Sequence, residues 1–453
     1  MDAAGVIFQF GSVMWTLLAF IVAISIIVAV HEYGHYIVGR WCGIKADVFS
    51  IGFGPVLLKR MDSRGTQWQL AALPLGGYVK FRGDANAASV GDDGTVATMS
   101  ASERAETMTG AALWKRAATV FAGPAINFLL TLVIFAAFAL FTGRATDDAV
   151  VGDYVALPAD VPTLVQGDEV LAVEGTPVGS LTDMHEQLKD VSDQATVTYT
   201  VLRDGAELEV EAAPALPPRA GSVEPRSAAW QAGIRPGDLI QTVDGSPIHS
   251  FRDLQNVVAA SEGATLELEV WRPEEGMLPP VALNPRESAR PAEDGGFENK
   301  YLIGIGGELA FAPATEWVGP FSAIAHGATQ TYDIAATSLS ALKHILIGTI
   351  STCNLSGPVG IAQVSGATAS LGAENFILFI AILSTAVGLL NLFPIPVLDG
   401  GHLVFYAYEA VRGRPPSDNA VKVLMTAGIT LMAALMIFAL SNDLFCPGGL
   451  LAR

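Results

Sequence analysis

His31, Glu32 and His35 stand together in the run His31-Glu32-Tyr33-Gly34-His35, a spacing that suits a hydrolytic zinc centre. On a helix, residues four apart share a face. The two imidazoles can therefore present nitrogens to one Zn2+ while Glu32 stands beside the attacking water as general base. The run closes a charge-free stretch from Ala3 to Val30, so a carboxylate and two histidines come at membrane depth. Ionisable groups there are costly and usually functional. Two histidines merely satisfied within a helix bundle would leave that cost unexplained.

A zinc centre needs a third protein ligand and an open position. A third histidine six residues after the second would complete an extended pattern, but Trp41 occupies that place. Topology points to Asp399. If the first span runs from outside to inside, the third repeats its direction, and its inner end lies in the same leaflet as His31 and His35. Asp399 falls there, in Asn391-Leu392-Phe393-Pro394-Ile395-Pro396-Val397-Leu398-Asp399-Gly400. Two prolines remove helix donors and Gly400 loosens the backbone, as expected of a broken helix end lining a polar cavity. Read more plainly, Asp399 only ends the span at the interface. His402, one turn on, competes as a ligand or supports the site from behind. His185, His249, His326 and His344 lie in or near the acidic insert and read as ordinary.

The elements that must position these groups follow from composition. Of 453 residues, 51% are hydrophobic and only 16% charged, too apolar for a soluble protein and too long for one domain. Four charge-free stretches can span: Ala3 to Val30, Ala117 to Gly143, Asn375 to Leu398 and Val423 to Asn442. A fifth, Ile345 to Ala373, is rich in Gly, Ser and Thr, and suits an interfacial or re-entrant segment. Asp2 and the lack of a basic leader suggest a retained first helix rather than a cleaved signal.

Tyr36 to Arg116 carries ten basic residues against seven acidic, and Thr142 to Gln330 eleven against thirty. The first loop should be cytoplasmic and the acidic insert outside. The insert alone nets −19, equal to the whole chain, which argues against a nucleic-acid partner. Cys42, Cys353 and Cys446 have no paired spacing, so no disulfide framework is expected, and Cys42 reads as a packed thiol.

The expected organisation is a first transmembrane helix with the zinc motif (1–41), a cytoplasmic β region (42–116) and a second transmembrane helix (117–143). Two similar domains (144–218 and 219–310), an interfacial segment (311–374) and a third transmembrane helix (375–402) follow. A cytoplasmic loop (403–422), a fourth helix (423–442) and a tail (443–453) complete it. Thr66 to Phe81 reads as strand-like, with a turn at Asp62-Ser63-Arg64-Gly65 and the run Leu73-Pro74-Leu75-Gly76-Gly77-Tyr78. Such a hairpin could dip toward the site and take an unwound peptide as an added strand, or be packed only for stability.

Within the insert, Gly167-Asp168-Glu169-Val170-Leu171-Ala172-Val173-Glu174-Gly175 matches Gly237-Asp238-Leu239-Ile240-Gln241-Thr242-Val243-Asp244-Gly245, an internal repeat. Each copy resembles a circularly permuted PDZ domain. The second keeps Ala232-Gly233 ahead of its Gly-Asp, and the first lacks that pair. A PDZ groove would bind chain termini; a packed pair would instead act as a size filter.

The motifs together resemble the site-2 proteases, intramembrane zinc metallopeptidases with H-E-x-x-H in one span and L-D-G in a later one. Asn391-x-x-Pro394-x-Pro396-x-Leu398-Asp399-Gly400-Gly401-His402, Phe121-Ala122-Gly123-Pro124-Ala125-Ile126-Asn127-Phe128 and Asn354-Leu355-Ser356-Gly357-Pro358 are similar to the bacterial RseP type over nearly the whole length. The resemblance implies His31, His35 and Asp399 as zinc ligands, Glu32 as catalytic base and Asn391 as a contact to substrate or oxyanion. It implies that Gly123, Pro124 and Asn127 line the second span beside the site, and that the β element carrying Gly76, Gly77 and Tyr78 holds substrate.

The expected fold is thus a polytopic α-helical membrane protein with four transmembrane helices. To these are added a cytoplasmic re-entrant β element and a tandem PDZ-like α+β extracytoplasmic insert. The expected function is the second cleavage of single-pass membrane proteins already trimmed by a site-1 protease, in the bilayer of a bacterial inner membrane with the active site toward the cytoplasm. The resemblance suggests an anti-sigma factor of envelope stress and remnant signal peptides as substrates. The alternatives are a catalytically silent PDZ scaffold, or a zinc protease acting on soluble ends at the cytoplasmic face.

Overall fold

The computed structural model describes residues 3–84, 98–159, 161–190, 193–291 and 297–446; most of the expected tail lies outside them. The chain forms two compact units, one from 1–140, 319–343 and 355–443, the other from 141–318, 344–354 and 444 onward.

The first unit begins with helix α1 (Ala3–Trp41), strands β1 (Ala46–Met61) and β2 (Gln67–Phe81) and helix α2 (Leu113–Thr142). After the insert come α3 (Pro320–Leu346), α4 (Pro358–Ser370), α5 (Ala373–Asn391), α6 (Asp399–Arg412) and α7 (Asp418–Phe445). Among the described residues four helices are long and apolar enough to cross a membrane: Val13–Trp41 of α1, then α2, α5 and α7. The protein is a polytopic membrane protein. Its third span stops at Asn391, seven residues short of the end of the charge-free stretch at Leu398. Pro394 and Pro396 offer no N–H to continue the ladder and push the residues before them out of the helical region. The chain loops through 392–398 and restarts as α6, with Asp399 in its first turn.

Small residues bring the helices close. A Cβ on Gly34 of α1 would lie 2.5 Å from the Ala122 carbonyl oxygen of α2, and one on Gly388 of α5 would lie 3.1 Å from Asn127 Cβ. Between α2 and α5, Thr131 Oγ1 donates to the Ala381 carbonyl (2.7 Å), and Ser384 Oγ donates to the Asn127 carbonyl (3.0 Å). Interhelical hydroxyl bonds of this kind hold apolar helices in register where burial alone supplies no preference. At the start of α2, Arg116 makes a two-point bond to Glu409 of α6 (3.1 and 2.6 Å).

β1 and β2 are longer than they are straight. β1 bends at Gly52 and Gly54 (φ +91° and +85°) and β2 near Gly76, so their halves form four adjacent segments ordered 56–61, 67–71, 48–53, 77–81. The 77–81 edge follows α1. A Cβ on Gly39 would meet the Phe81 ring, one on Gly77 would meet Val28 and Glu32, and Ser25 Oγ donates to the Pro74 carbonyl (3.2 Å). From Gly39 to Ser25 is about 21 Å of helix. At the turn, Asp62 accepts from Arg64 N, Thr66 N, Trp68 Nε1 and the Tyr36 hydroxyl of α1.

The 13 residues of α4 would extend about 20 Å, short of a hydrocarbon core of about 30 Å. It packs on α1 through small residues: a Cβ on Gly366 would lie 2.5 Å from Thr16 Oγ1. Asp443, near the end of α7, accepts from the backbone N–H groups of Gly357, Val359 and Gly360, each at 3.0 Å, and so satisfies the donors that open α4.

In the second unit, one lobe contains strands Glu169–Val173, Val197–Arg203 and Ala206–Ala212 with helix Leu181–Asp190. The other contains Leu239–Val243, Leu266–Arg272 and Val281–Leu283 with helix Phe251–Ala260. In each, one strand face alternates inward, with Val197, Tyr199 and Val201 in the first core and Leu266, Leu268 and Val270 in the second. Each also closes on one device: a buried aspartate paired at two points with an arginine. Asp168 meets Arg203 at 2.6 and 2.7 Å, and Asp238 meets Arg272 at 2.7 and 2.8 Å. Arg203 holds the Asp168 carboxyl below the ordinary carboxylate range.

Cys353 and Cys446 form a disulfide across a separation of 93 residues, which the spacing of the three cysteines did not imply. The pairing is invisible in spacing, because it depends on the end of α7 returning to the segment ahead of α4. Cys42 is free and half-buried.

Candidate metal centre

His31 and His35 project from one face of α1 toward the first turn of α6. His31 Nε2 lies 3.2 Å from His35 Nε2 and 3.1 Å from Asp399 Oδ2, and His35 Nε2 lies 3.5 Å from Asp399 Oδ1. Among the described residues this is the one group of three potential ligand side chains close enough to share an ion. Tetrahedral ligand atoms on bonds of about 2.0–2.1 Å stand about 3.3–3.4 Å apart; the two imidazole nitrogens are near that separation, and one atom from each of the three residues lies within 4.8 Å of the others. The side chains are 9, 12 and 18% exposed, so bulk water does not explain the clustering. Asp399 Oδ2 is buried and accepts no hydrogen bond, although two imidazole nitrogens converge on the carboxylate. A cation satisfies all three, so the residues present fit a zinc ion.

Helix α2 makes the room. A Cβ on Gly123 would lie 2.3 Å from His35 Nε2 and 2.8 Å from His31 Nε2, where the donor atoms converge. One turn to either side, the Thr119 carbonyl meets His35 Nδ1 (2.9 Å) and the Asn127 amide meets His31 Nδ1 (3.1 Å). Pro124 directs its carbonyl toward Gly388 of α5 instead. The loop ahead of Asp399 is tight: a Cβ on Gly400 would lie 2.3 Å from the carbonyls of Leu392 and Phe393, and one on Gly401 equally close to that of Ile395. The two glycines therefore serve a close approach of the backbone to the start of α6, more than looseness.

Glu32 points to the hairpin. Its Cγ would lie 3.3 Å from a Cβ on Gly77, and its carboxylate accepts from the Val79 backbone N–H. Gly76 and Tyr78 face Phe53 within the hairpin, with the Phe53 and Tyr78 rings stacked at 6.0 Å. Asn391 closes α5, half-buried. His402 lies outside the cluster, against the Phe405 ring. Sequence reasoning missed Thr119 and Val79, which act through backbone atoms and leave no trace in residue type. It also passed over Gly34, whose signal was a glycine inside the histidine motif.

This donor geometry, at membrane depth and with a carboxylate beside it, narrows the class to membrane-embedded metallohydrolases. Residues 19–435 match the profile of peptidase family M50, and the chain belongs to that family. It is 36% identical over 429 residues to a protein of Agrobacterium fabrum named as a candidate zinc metalloprotease, with 94% of each chain covered. It is 32% identical over 463 residues to the regulator of sigma-E protease RseP of Escherichia coli, covering 95% of this chain and 99% of the other. The protein is a zinc metalloprotease of the site-2 type that acts on membrane proteins within the bilayer.

Proposed function

We propose that His31, His35 and Asp399 hold the zinc and that Glu32 is the general base for hydrolysis of a peptide bond inside a substrate's transmembrane segment. The observation that carries this is the convergence of ligand atoms of His31, His35 and Asp399 within 4.8 Å of one another, with Glu32 beside them against the strand edge at Gly77. Zinc bound there supplies a Lewis acid for the scissile carbonyl and acidifies a water. Glu32 takes the proton from the attacking water and returns it to the departing amide nitrogen. Asn391 is proposed to steady the oxyanion. A helical substrate has its carbonyls already bonded and must unwind first. The β1–β2 hairpin, read as a re-entrant element, would receive it by strand addition at the 77–81 edge, with Gly76, Gly77 and Tyr78 lining the path. Support for re-entry is the run of contacts from Gly39 to Ser25.

The substrates on this reading are single-pass proteins already shortened by a site-1 protease, an anti-sigma factor and remnant signal peptides among them, in a bacterial inner membrane. The two lobes of the insert are read as PDZ-like domains outside the cytoplasm that screen substrates by size more than by binding their ends. Sidedness is supported by charge and by redox state. The Cys353–Cys446 pair suits an oxidising space and the free Cys42 a reducing one, and the charge bias assigns the same sides.

The test is cleavage-site mapping by mass spectrometry on a truncated single-span substrate, using reconstituted protein and its Glu32→Gln variant. A cut inside the apolar segment, absent in the variant, is expected. Cuts confined to soluble ends, or persisting in the variant, would overturn the reading.

A further inference from the structure

We infer that Asn127 is a positioning residue for His31: its amide oxygen accepts the His31 Nδ1 proton and thereby commits Nε2 to the metal. The inference rests on the zinc-ligand reading above. Its starting point is an inconsistency within the site. With Nδ2 toward His31, the amide donates to Nδ1 at 3.1 Å, while Oδ1 is buried and has no partner. That orientation forces the His31 proton onto Nε2, the atom 3.2 Å from His35 Nε2 and 3.1 Å from Asp399 Oδ2. A protonated Nε2 cannot bind a cation. Exchanging amide oxygen and nitrogen loses no bond made by Oδ1 and gives the opposite tautomer.

His35 supplies the precedent inside the same molecule. Its Nδ1 meets the Thr119 carbonyl at 2.9 Å, and a carbonyl can only accept, so His35 carries a proton on Nδ1 and, as the neutral ring a metal requires, its lone pair on Nε2. Thr119, Gly123 and Asn127 follow at intervals of four on one face of α2. The row reads acceptor, gap, acceptor: the Thr119 carbonyl orients His35, Gly123 leaves space for the converging nitrogens, and Asn127 orients His31. The first acceptor comes from the backbone, so residue type there is free. The second must come from a side chain, so residue type at 127 is not. Asn127 is fully buried, and its own carbonyl receives Ser384 Oγ of α5 at 3.0 Å, which fixes the height of the amide beside His31.

Partners that orient metal-bound histidines typically contribute about 10- to 100-fold to metal affinity. Zinc affinity is therefore the readout, measured by chelator competition on the full-length protein in detergent micelles, with cobalt absorption reporting the ligand set. Asn127→Leu, of similar size but with no acceptor, is expected to bind zinc about 10- to 100-fold more weakly. Asn127→Asp can accept but not donate, and is expected to bind at least as tightly as wild type with an unchanged cobalt spectrum. Wild-type affinity in Asn127→Leu, or an Asn127→Asp variant as weak as Asn127→Leu, would overturn the assignment. If Asn127→Leu does not fold, Asn127→Asp decides alone, because an amide needed as a donor predicts loss there. Absence of zinc from the wild type would sink the ligand reading itself, whereas a wild type that binds beside an unaffected Asn127→Leu would sink only this inference.

Discussion

Gly123→Ala tests whether α2 shapes the metal centre by leaving space. The added methyl would lie 2.3 Å from His35 Nε2, 2.4 Å from its Cε1 and 2.8 Å from His31 Nε2. Carbon contacts settle near about 3.5 Å, so the His35 ring must retreat by about 1 Å. It cannot do so freely, because its other nitrogen is tied to the Thr119 carbonyl on the same helix. Ligand distances in metal sites are held within about 0.2 Å, so the shift removes His35 from the ligand set. A misplacement of about 1 Å at a reacting centre costs about 100-fold, and kcat/KM should fall by at least that factor. The overpacking should cost about 1–3 kcal/mol of stability, leaving a folded protein. The assay pairs zinc content after dialysis with cleavage of a single-span substrate. Gly319→Ala, with open space around the added methyl and no left-handed backbone, is the neutral control. Wild-type zinc and turnover in Gly123→Ala would refute the argument that this helix face defines the site.

Glu32→Gln should retain zinc within a few-fold while turnover falls by about 100-fold or more, the usual range for a general base; equal loss of zinc would make Glu32 structural. At the hairpin turn, burial works against the Asp62 carboxylate, but Thr66 N, Trp68 Nε1, Arg64 N and the Tyr36 hydroxyl outweigh it and hold the group at about 2. A depressed pKa contributes stability above the ordinary carboxylate value that is lost as pH falls through the folded one. Pepsin cutting at this turn should therefore rise between about pH 4 and about pH 2, and Asp62→Asn should already be sensitive at the upper value. Replacing Cys353 and Cys446 together by serine should lower stability by about 2–4 kcal/mol, read as a fall in melting temperature in micelles. In the wild type, Cys42 alone should react with a thiol reagent until reductant is added; equal labelling of all three would contradict the pairing.

What was legible in the sequence was local. Absence of charge over the four apolar stretches suffices to place spanning helices, because a bilayer leaves the backbone few other ways to satisfy itself. The interval of four between His31 and His35 sets both on one helical face whatever surrounds them. The choice of Asp399 over His402 required more. Counting crossings put both at the inner end of the third span, the resemblance implied Asp399 as the ligand, and in the structure Asp399 joins the histidines while His402 lies outside the cluster.

The tertiary structure decided everything that depends on which segments meet. Asp399 reaches the histidines because α5 stops at Asn391 and the chain reverses over Gly400 and Gly401 before α6 begins. The Cys353–Cys446 bond depends on a return across 93 residues. Thr119 and Val79 act through a backbone carbonyl and a backbone N–H, which every residue but proline carries, so no residue type could announce them. Residue types and their period determine which groups can do chemistry and at what depth. Only the packing of α1, α2 and α6 determines where lone pairs converge, because that depends on sub-ångström contacts between segments remote in sequence.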